Sequence, residues 1–440
     1  MVYPEKKRRL LTPPKHHCME QILLYVIIAI IVLDYVFDRW MDYLNTTRWS
    51  RVLPDSLKGI YDEEKYRKSQ EYSRVNMRFG LISSTLSFAF ILLMLLFGGF
   101  GYLDEAVRRI STHPILMAGL FFGLLGLASD ILSTPLDLYR TFVIEERFGF
   151  NRTTPITYVT DKIKGWALAI ILGGGLLAAF VWFYQAAGEL FWLYAWILFT
   201  AFSVLMMMFY STLIVPLFNK QEPLEEGPLR EAIEAFARKA GFRLDNIFVI
   251  DGSKRSAKAN AYFSGLGPKK RIVLFDTLVK EHSKEELVAV LAHEIGHYKK
   301  KHTLKGMLIS VLTTGVMLYL LGLFIRQPAL SVALGAEEVS FHMGILAFGL
   351  LYSPISLLLG ILSNRLSRRY EFEADAFAAE KYAARPLQSA LKKLSVNHLS
   401  NLRPHPAYVY VHYSHPPLLE RLKHLDHYAR DGDQSAGDTP

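Results

Sequence analysis

Along the 440-residue chain, long apolar runs alternate with charged stretches. Seven runs approach or exceed the ~20 residues that cross a bilayer as helix. They lie near 21–40, 80–103, 115–139, 165–186, 190–215, 304–325 and 341–362. LSFAFILLMLLFGGFGYL and WALAIILGGGLLAAFVWF are apolar on every face, whereas a soluble amphipathic helix carries a one-sided stripe. The first span holds Asp34 and the third holds Asp130 and Asp137. Acids at such depth either line an interior or serve an ion path. The pattern predicts a mainly α, polytopic membrane protein with about seven spans.

Spans one to five make a membrane domain over 21–215, and spans six and seven occupy 304–362. Residues 1–20 read as an N-terminal tail, 363–428 as a C-terminal helical region, and the polar 429–440 as a disordered tail. The insert 216–303 has a different pattern. PLREAIEAFARKAGF reads as a helix with Pro228 near its start and Gly241 past its end. NIFVID, NAYFSG and RIVLFDTL read as short strands. SKEELVAVLAHEIGHYKKKH opens with Ser283 and Glu286, the spacing of a capping box. Leu287, Val290, Leu291 and Ile295 then recur at helical intervals.

Charge gives the spans a direction. The loops 41–79 and 140–164 carry eight and five Lys/Arg residues, against two in 104–114 and one in 326–340. Basic loops stay cytoplasmic, so the insert and everything after 363 face the cytoplasm. KKRR at 6–9 disagrees, since an odd span count leaves it outside. The net charge of +9 belongs to a basic membrane face; no base-reading motif points to nucleic acid. The single cysteine, Cys18, excludes a disulfide framework and a thiolate metal site.

The chemistry lies in HEIGH. Residues i and i+4 share a helix face, so His293 and His297 can aim at one zinc ion. Glu294 is about 100° round the helix and suits a base acting on water activated by the metal. A histidine six residues past His297 is missing, because position 303 is Thr; His302, five on, is expected to point elsewhere. An acid must come from another helix. In SRRYEFEADAFAAEKYA, Glu371 and Asp375 share a face, and one can bind zinc while the other orients a histidine. Spacing does not say which. Surface salt bridges to Arg368 and Arg369 are the bland reading of these acids.

TPLDLYRTFVIEERFGFN, NAYFSG, KKRIVLFDTL, VAVLAHEIGHYKKKH, SRRYEFEADAFA and HYSHPPLLERL occur in this order. In them the chain resembles the integral-membrane zinc metalloproteases of the type I CAAX prenyl endopeptidase family, from about 20 to 425. The resemblance implies seven helices around a water-filled chamber, with a small α+β zinc-metalloprotease domain on the cytoplasmic side. It implies one Zn2+ on His293, His297 and Glu371, with Glu294 as base and Asp375 behind a histidine. His415 and Asn260 match residues near the scissile bond, where either can donate to an oxyanion. Asn260, Ala261, Tyr262 and Phe263 can pair with substrate backbone as an edge strand, or form an ordinary internal strand. The implied partners are membrane lipids and a peptide or lipidated-protein substrate. The implied location is an endoplasmic reticulum or bacterial cytoplasmic membrane. A broad-specificity membrane protease is the alternative enzyme, and a scaffold or transporter is the alternative of another class.

Overall fold

The computed structural model describes residues 14–437 except 51, 54, 243–246 and 266–270; the KKRR run and most of the N-terminal tail lie outside the described residues. Seven helices are long and apolar enough to cross a membrane: Met19–Thr46, Glu63–Leu96, Pro114–Glu145, Pro155–Ala186, Gly188–Phe218, His302–Phe324 and Phe341–Lys381. They match the seven predicted runs in number and order. Leu33, Leu93, Ile131, Ile170, Leu312 and Leu358 are all exposed. Seven helices with so much exposed apolar surface fit a lipid solvent.

Two boundaries differ from the pattern. The second span stops at Leu96, short of the predicted 103, because Gly98 takes a left-handed φ of 64° and starts a new helix, Gly99–Ile110. The seventh does not end near 362: one helix of 41 residues runs from Phe341 to Lys381. It carries the EFEAD residues on the same rigid rod as the span. At the C-terminus, the helix Leu418–Gly437 runs into the stretch expected as a disordered tail, whose last three residues lie outside the described residues.

Two large buried clusters gather the spans at one end. Ile27, Phe100, Phe121, Leu330 and Met343 form one buried cluster there, and Val181, Phe191, Leu318 and Phe348 form another. Among the acids, Asp34 accepts a hydrogen bond from Ser353, Asp130 pairs with Lys162 at 3.1 Å, and Asp137 is exposed.

At the other end sits a domain built on the insert. Its sheet has four strands: β1 Gln221–Pro223, β2 Ile247–Ile250, β3 Ala261–Ser264 and β4 Arg271–Phe275, in the order β1-β2-β4-β3. β2 and β4 are parallel, and the other pairs are antiparallel. β1 carries no apolar alternation (QEP), so the pattern missed it. The third predicted strand ends early, since Asp276 begins a short helix, Asp276–Glu281. Among the described residues β3 is an edge strand, bonded to β4 on one side alone. Ile272 and Leu274 of β4 pack against Leu287, Leu291 and Ile295 of the HEIGH helix, Lys284–Lys299.

Candidate active site

The HEIGH helix starts where its cap dictates. The Ser283 hydroxyl accepts from the Glu286 N–H at 3.3 Å, and Glu286 Oε2 accepts from the Ser283 N–H at 2.9 Å. Ser389 and Lys393 donate to the same carboxylate at 2.6 and 2.7 Å, which fastens the cap to the helix Ala384–Asn397. Leu287, Val288, Ala289, Leu291 and Ala292 are buried, so the helix is central to the domain core.

It crosses the Phe341–Lys381 helix at Gly296. A Cβ added there would lie 3.2 Å from the Cα and carbonyl oxygen of Ala374 and from Phe377 Cβ. A side chain at this position would press on both rods, and this close crossing brings Glu371 to the two histidines.

The three proposed ligands converge. His293 Nε2 and His297 Nε2 are 3.1 Å apart; Glu371 lies 3.5 Å from the first and 3.3 Å from the second. These three donor atoms form a group able to hold a metal ion. Bonds near 2.0–2.1 Å at tetrahedral angles separate donors by about 3.3 Å, which matches. The electrostatics favour positive charge here as well. Burial disfavours charge on His293, but the Asp375 and Glu371 carboxylates outweigh it and raise its pKa to about 9. Glu371 Oε2 is buried with no hydrogen-bond partner among the described residues. The residues present therefore fit a divalent ion.

Each histidine is held from behind. His293 Nδ1 faces Asp375 Oδ1 at 2.9 Å. Asp375 is fully buried, and Arg421 forks onto it with bonds of 2.8 and 2.6 Å. Arg421 also lies 3.5 Å from Glu371. His297 Nδ1 meets His302 Nδ1 at 3.1 Å, and His302 Nε2 meets Glu373 at 3.1 Å. His302 stacks on Tyr370 with centroids 4.1 Å apart. This corrects the expectation for His302. Five residues along an unbroken helix would turn it away, but the helix ends at Lys299 and Lys301 adopts a φ of 59°. That left-handed residue folds the chain back.

The remaining candidates line one cavity of about 720 Å³: Asn260, Ala261, Phe263, Glu294 and His415, together with the donor set, Arg421 and His398. Burial holds the Glu294 carboxyl above its ordinary value, against the opposing pull of His293 and His297. The His415 ring is 65% exposed, with Nε2 3.3 Å from Glu371, so it can turn towards a substrate. Asn260 Oδ1 accepts from the Ala261 N–H at 2.9 Å. Tyr262 is absent from this lining and lies beside Met206 and Tyr210 instead. Of the surface bridges, Arg369 does bind Glu373 at 2.9 Å. Arg368 instead takes the carbonyls of Val409 and Tyr413.

Sequence reasoning missed Arg421 and misplaced His302. Arg421 falls within the singled-out HYSHPPLLERL, but nothing local marks it: the signal is a buried arginine needed opposite Asp375, and that need exists only in three dimensions.

Comparisons with known proteins agree with this geometry. Residues 42–220 match the model described as CAAX prenyl protease N-terminal, five membrane helices, and residues 223–429 match Peptidase family M48. A CAAX prenyl protease 1 homolog of Arabidopsis thaliana is 36% identical over 409 residues, covering 91% of this chain and 96% of that protein. CAAX prenyl protease 1 of Saccharomyces cerevisiae is 34% identical over 429 residues, covering 91% and 95%. The crystal structure of S. mikatae Ste24p superposes with a TM-score of 0.87 at 34% identity, over 92% of this chain and 99% of that one. These matches run over nearly the whole length of the relatives, and the chain belongs to the CAAX prenyl protease family of M48 metallopeptidases.

Proposed function

We propose that this protein is a membrane-embedded zinc endopeptidase that cuts prenylated, CAAX-type substrates near their C-terminus, with its active site facing the cytoplasm. The observation that carries the reading is the convergence of His293, His297 and Glu371 beside Glu294, in a cavity bounded by the unpaired edge of β3. The substrate class comes from the relatives' names, and the cytoplasmic side from the basic loops. A water-filled chamber between the spans is supported by packing that closes the bundle tightly at one end.

In this reading His293, His297 and Glu371 hold one Zn2+, which when bound supplies a Lewis acid that activates water and polarises the scissile carbonyl. Glu294 accepts the proton of the attacking water and delivers it to the departing amine. Asp375, fixed by Arg421, keeps the proton of His293 on Nδ1, so Nε2 presents its lone pair. His302 does the same for His297, as partners behind ligating histidines do elsewhere. His415 and the Asn260 amide donate to the oxyanion. β3 pairs with the substrate backbone through Ala261 and Phe263, and Tyr262 faces away.

The test uses a farnesylated peptide ending in C-a-a-X. The parent cleaves it after the modified cysteine, and Glu294→Gln keeps its zinc and loses turnover. Zinc lost along with activity would refute the base assignment. Equal cleavage of lipidated and bare peptides would replace the CAAX reading with a broad-specificity membrane protease.

A further inference from the structure

The stretch TFVIEERFGFN is the long motif that the catalytic reading leaves without a role. It begins in the third span helix, passes through a π-helical turn at Arg140–Glu145, and leaves the helix near Gly149. It then runs beneath residues 255–259, which lead directly into Asn260 and β3.

The contacts are dense. Ala257 N–H donates to the Phe150 carbonyl at 2.9 Å, and Arg152 N–H donates to the Arg255 carbonyl at 3.1 Å. Asn151 and Ser256 form an antiparallel bridge. Thr153 donates its hydroxyl to the same Arg255 carbonyl at 3.2 Å. Next comes a polar knot. Lys258 Nζ donates to Tyr72 Oη at 2.8 Å and to Glu145 Oε2 at 3.1 Å, and the Tyr72 hydroxyl donates to Glu145 Oε1 at 2.6 Å. The ammonium lies 4.3 Å over the Phe150 ring. Ile144, Phe148 and Phe150 are buried against Tyr72, Val75 and Phe79 of the second span helix. Beyond Lys258, Ala259 N–H donates to His398 at 3.0 Å, and the Asn260 carbonyl accepts from Phe275 N–H at 3.0 Å.

β3 has only four residues and one bonded neighbour, so its own ladder fixes its position weakly. What locates it is the chain just before it, and the second and third spans hold that chain. We infer that Glu145, Tyr72 and Lys258, with the backbone of 150–153, form a clamp by which the membrane domain sets the substrate-pairing edge at its working distance from His293, His297 and Glu371. These are positioning residues; none lines the catalytic cavity. The inference rests on the reading that β3 receives the substrate backbone.

Strand pairing is equally present in the bound substrate and the transition state, so loosening it raises KM and spares kcat. The experiment uses full-length protein in proteoliposomes. Glu145→Gln and Tyr72→Phe each remove one element of the knot while keeping its shape. KM for the farnesylated peptide should rise roughly tenfold, with kcat and zinc content unchanged. Affinity for the uncleaved peptide in the Glu294→Gln background should fall equally. Adding Lys258→Met to Glu145→Gln should cost little more, since both act through one knot. A peptide N-methylated at an amide that pairs with β3 tests the underlying reading. If the methyl group leaves parent affinity unchanged, strand pairing is wrong. If it weakens parent binding yet both variants bind the plain peptide normally, the clamp is wrong. A fall in zinc content or kcat alongside affinity would make the knot a general support and also overturn the assignment.

Discussion

Gly296→Ala tests whether the two-helix crossing sets the metal geometry. The added methyl would sit 3.2 Å from three atoms, two of them backbone and one a Cβ. Carbon contacts are comfortable at about 3.5–4.0 Å, so the rods must part by roughly 0.3–0.8 Å. None of the three atoms can rotate away. Ala374 lies one turn past Glu371, and His293 and His297 flank Gly296, so the parting falls on the donor set. Metal sites tolerate about ±0.2 Å. Zinc affinity should therefore drop about 10- to 100-fold, the range seen when groups supporting a ligand are lost. Stability gives an independent sign. In an uncrowded helix Gly→Ala stabilises by up to about 1 kcal/mol; overpacking costs about 1–3 kcal/mol. Net destabilisation is expected. The assay is chelator competition for zinc alongside thermal unfolding in one detergent. Gly306→Ala is the control, because a Cβ there meets nothing within 4 Å. If Gly296→Ala binds zinc normally and melts higher, the crossing is not the determinant.

His302→Phe should weaken zinc binding about 10- to 100-fold, while His302→Gln, whose amide oxygen can accept from His297, should keep more of it; equal chelator-competition constants would refute the support role. Glu286 is buried, which opposes its charge, but Lys393, Ser389 and the Ser283 N–H outweigh that and lower its pKa below the ordinary carboxylate value. A depressed folded pKa adds stability above the unfolded value, and that stability fades as pH falls through the folded one. Acid scans should thus show a lower plateau and a shallower loss below about pH 4.5 for Glu286→Gln; an unchanged scan would contradict this. For the membrane side, cysteine at 225 should be labelled only from the cytoplasm and cysteine at 332 only from the opposite side, and the reverse pattern would overturn the charge argument.

Local pattern made the spans and the HEIGH helix legible because lipid solvation and a capping box both act within a few residues. Where a glycine or left-handed residue redirected the chain, pattern failed: Gly98 cut the second span short, and Lys301 brought His302 back to the metal site. The acids were legible as a pair on one face, yet the choice between Glu371 and Asp375 depends on Arg421, 46 residues beyond Asp375. β1 escaped because an edge segment reading QEP has no apolar alternation to detect. The clamp on β3 was visible only as an unexplained motif, since its partners come from two spans far apart in sequence.

The helix from Phe341 to Lys381 is a lever with one arm in lipid and the other at the donor set. Glu371 lies about 45 Å from its start at 1.5 Å per residue, and about 26 Å beyond Pro354. One degree of rotation about the start moves Glu371 by about 0.8 Å, and one degree about Pro354 by about 0.4 Å; both exceed the tolerance of a metal site. Asn364 and Arg368 hold the rod to the carbonyls of Val411 and Val409 just before that point, at 2.7 and 3.0 Å. A bilayer whose thickness changes the tilt of this span therefore strains those braces first. Hydrolysis rates should then depend on acyl-chain length in a series of otherwise identical vesicles, making the thickness of the membrane a control variable for the reaction.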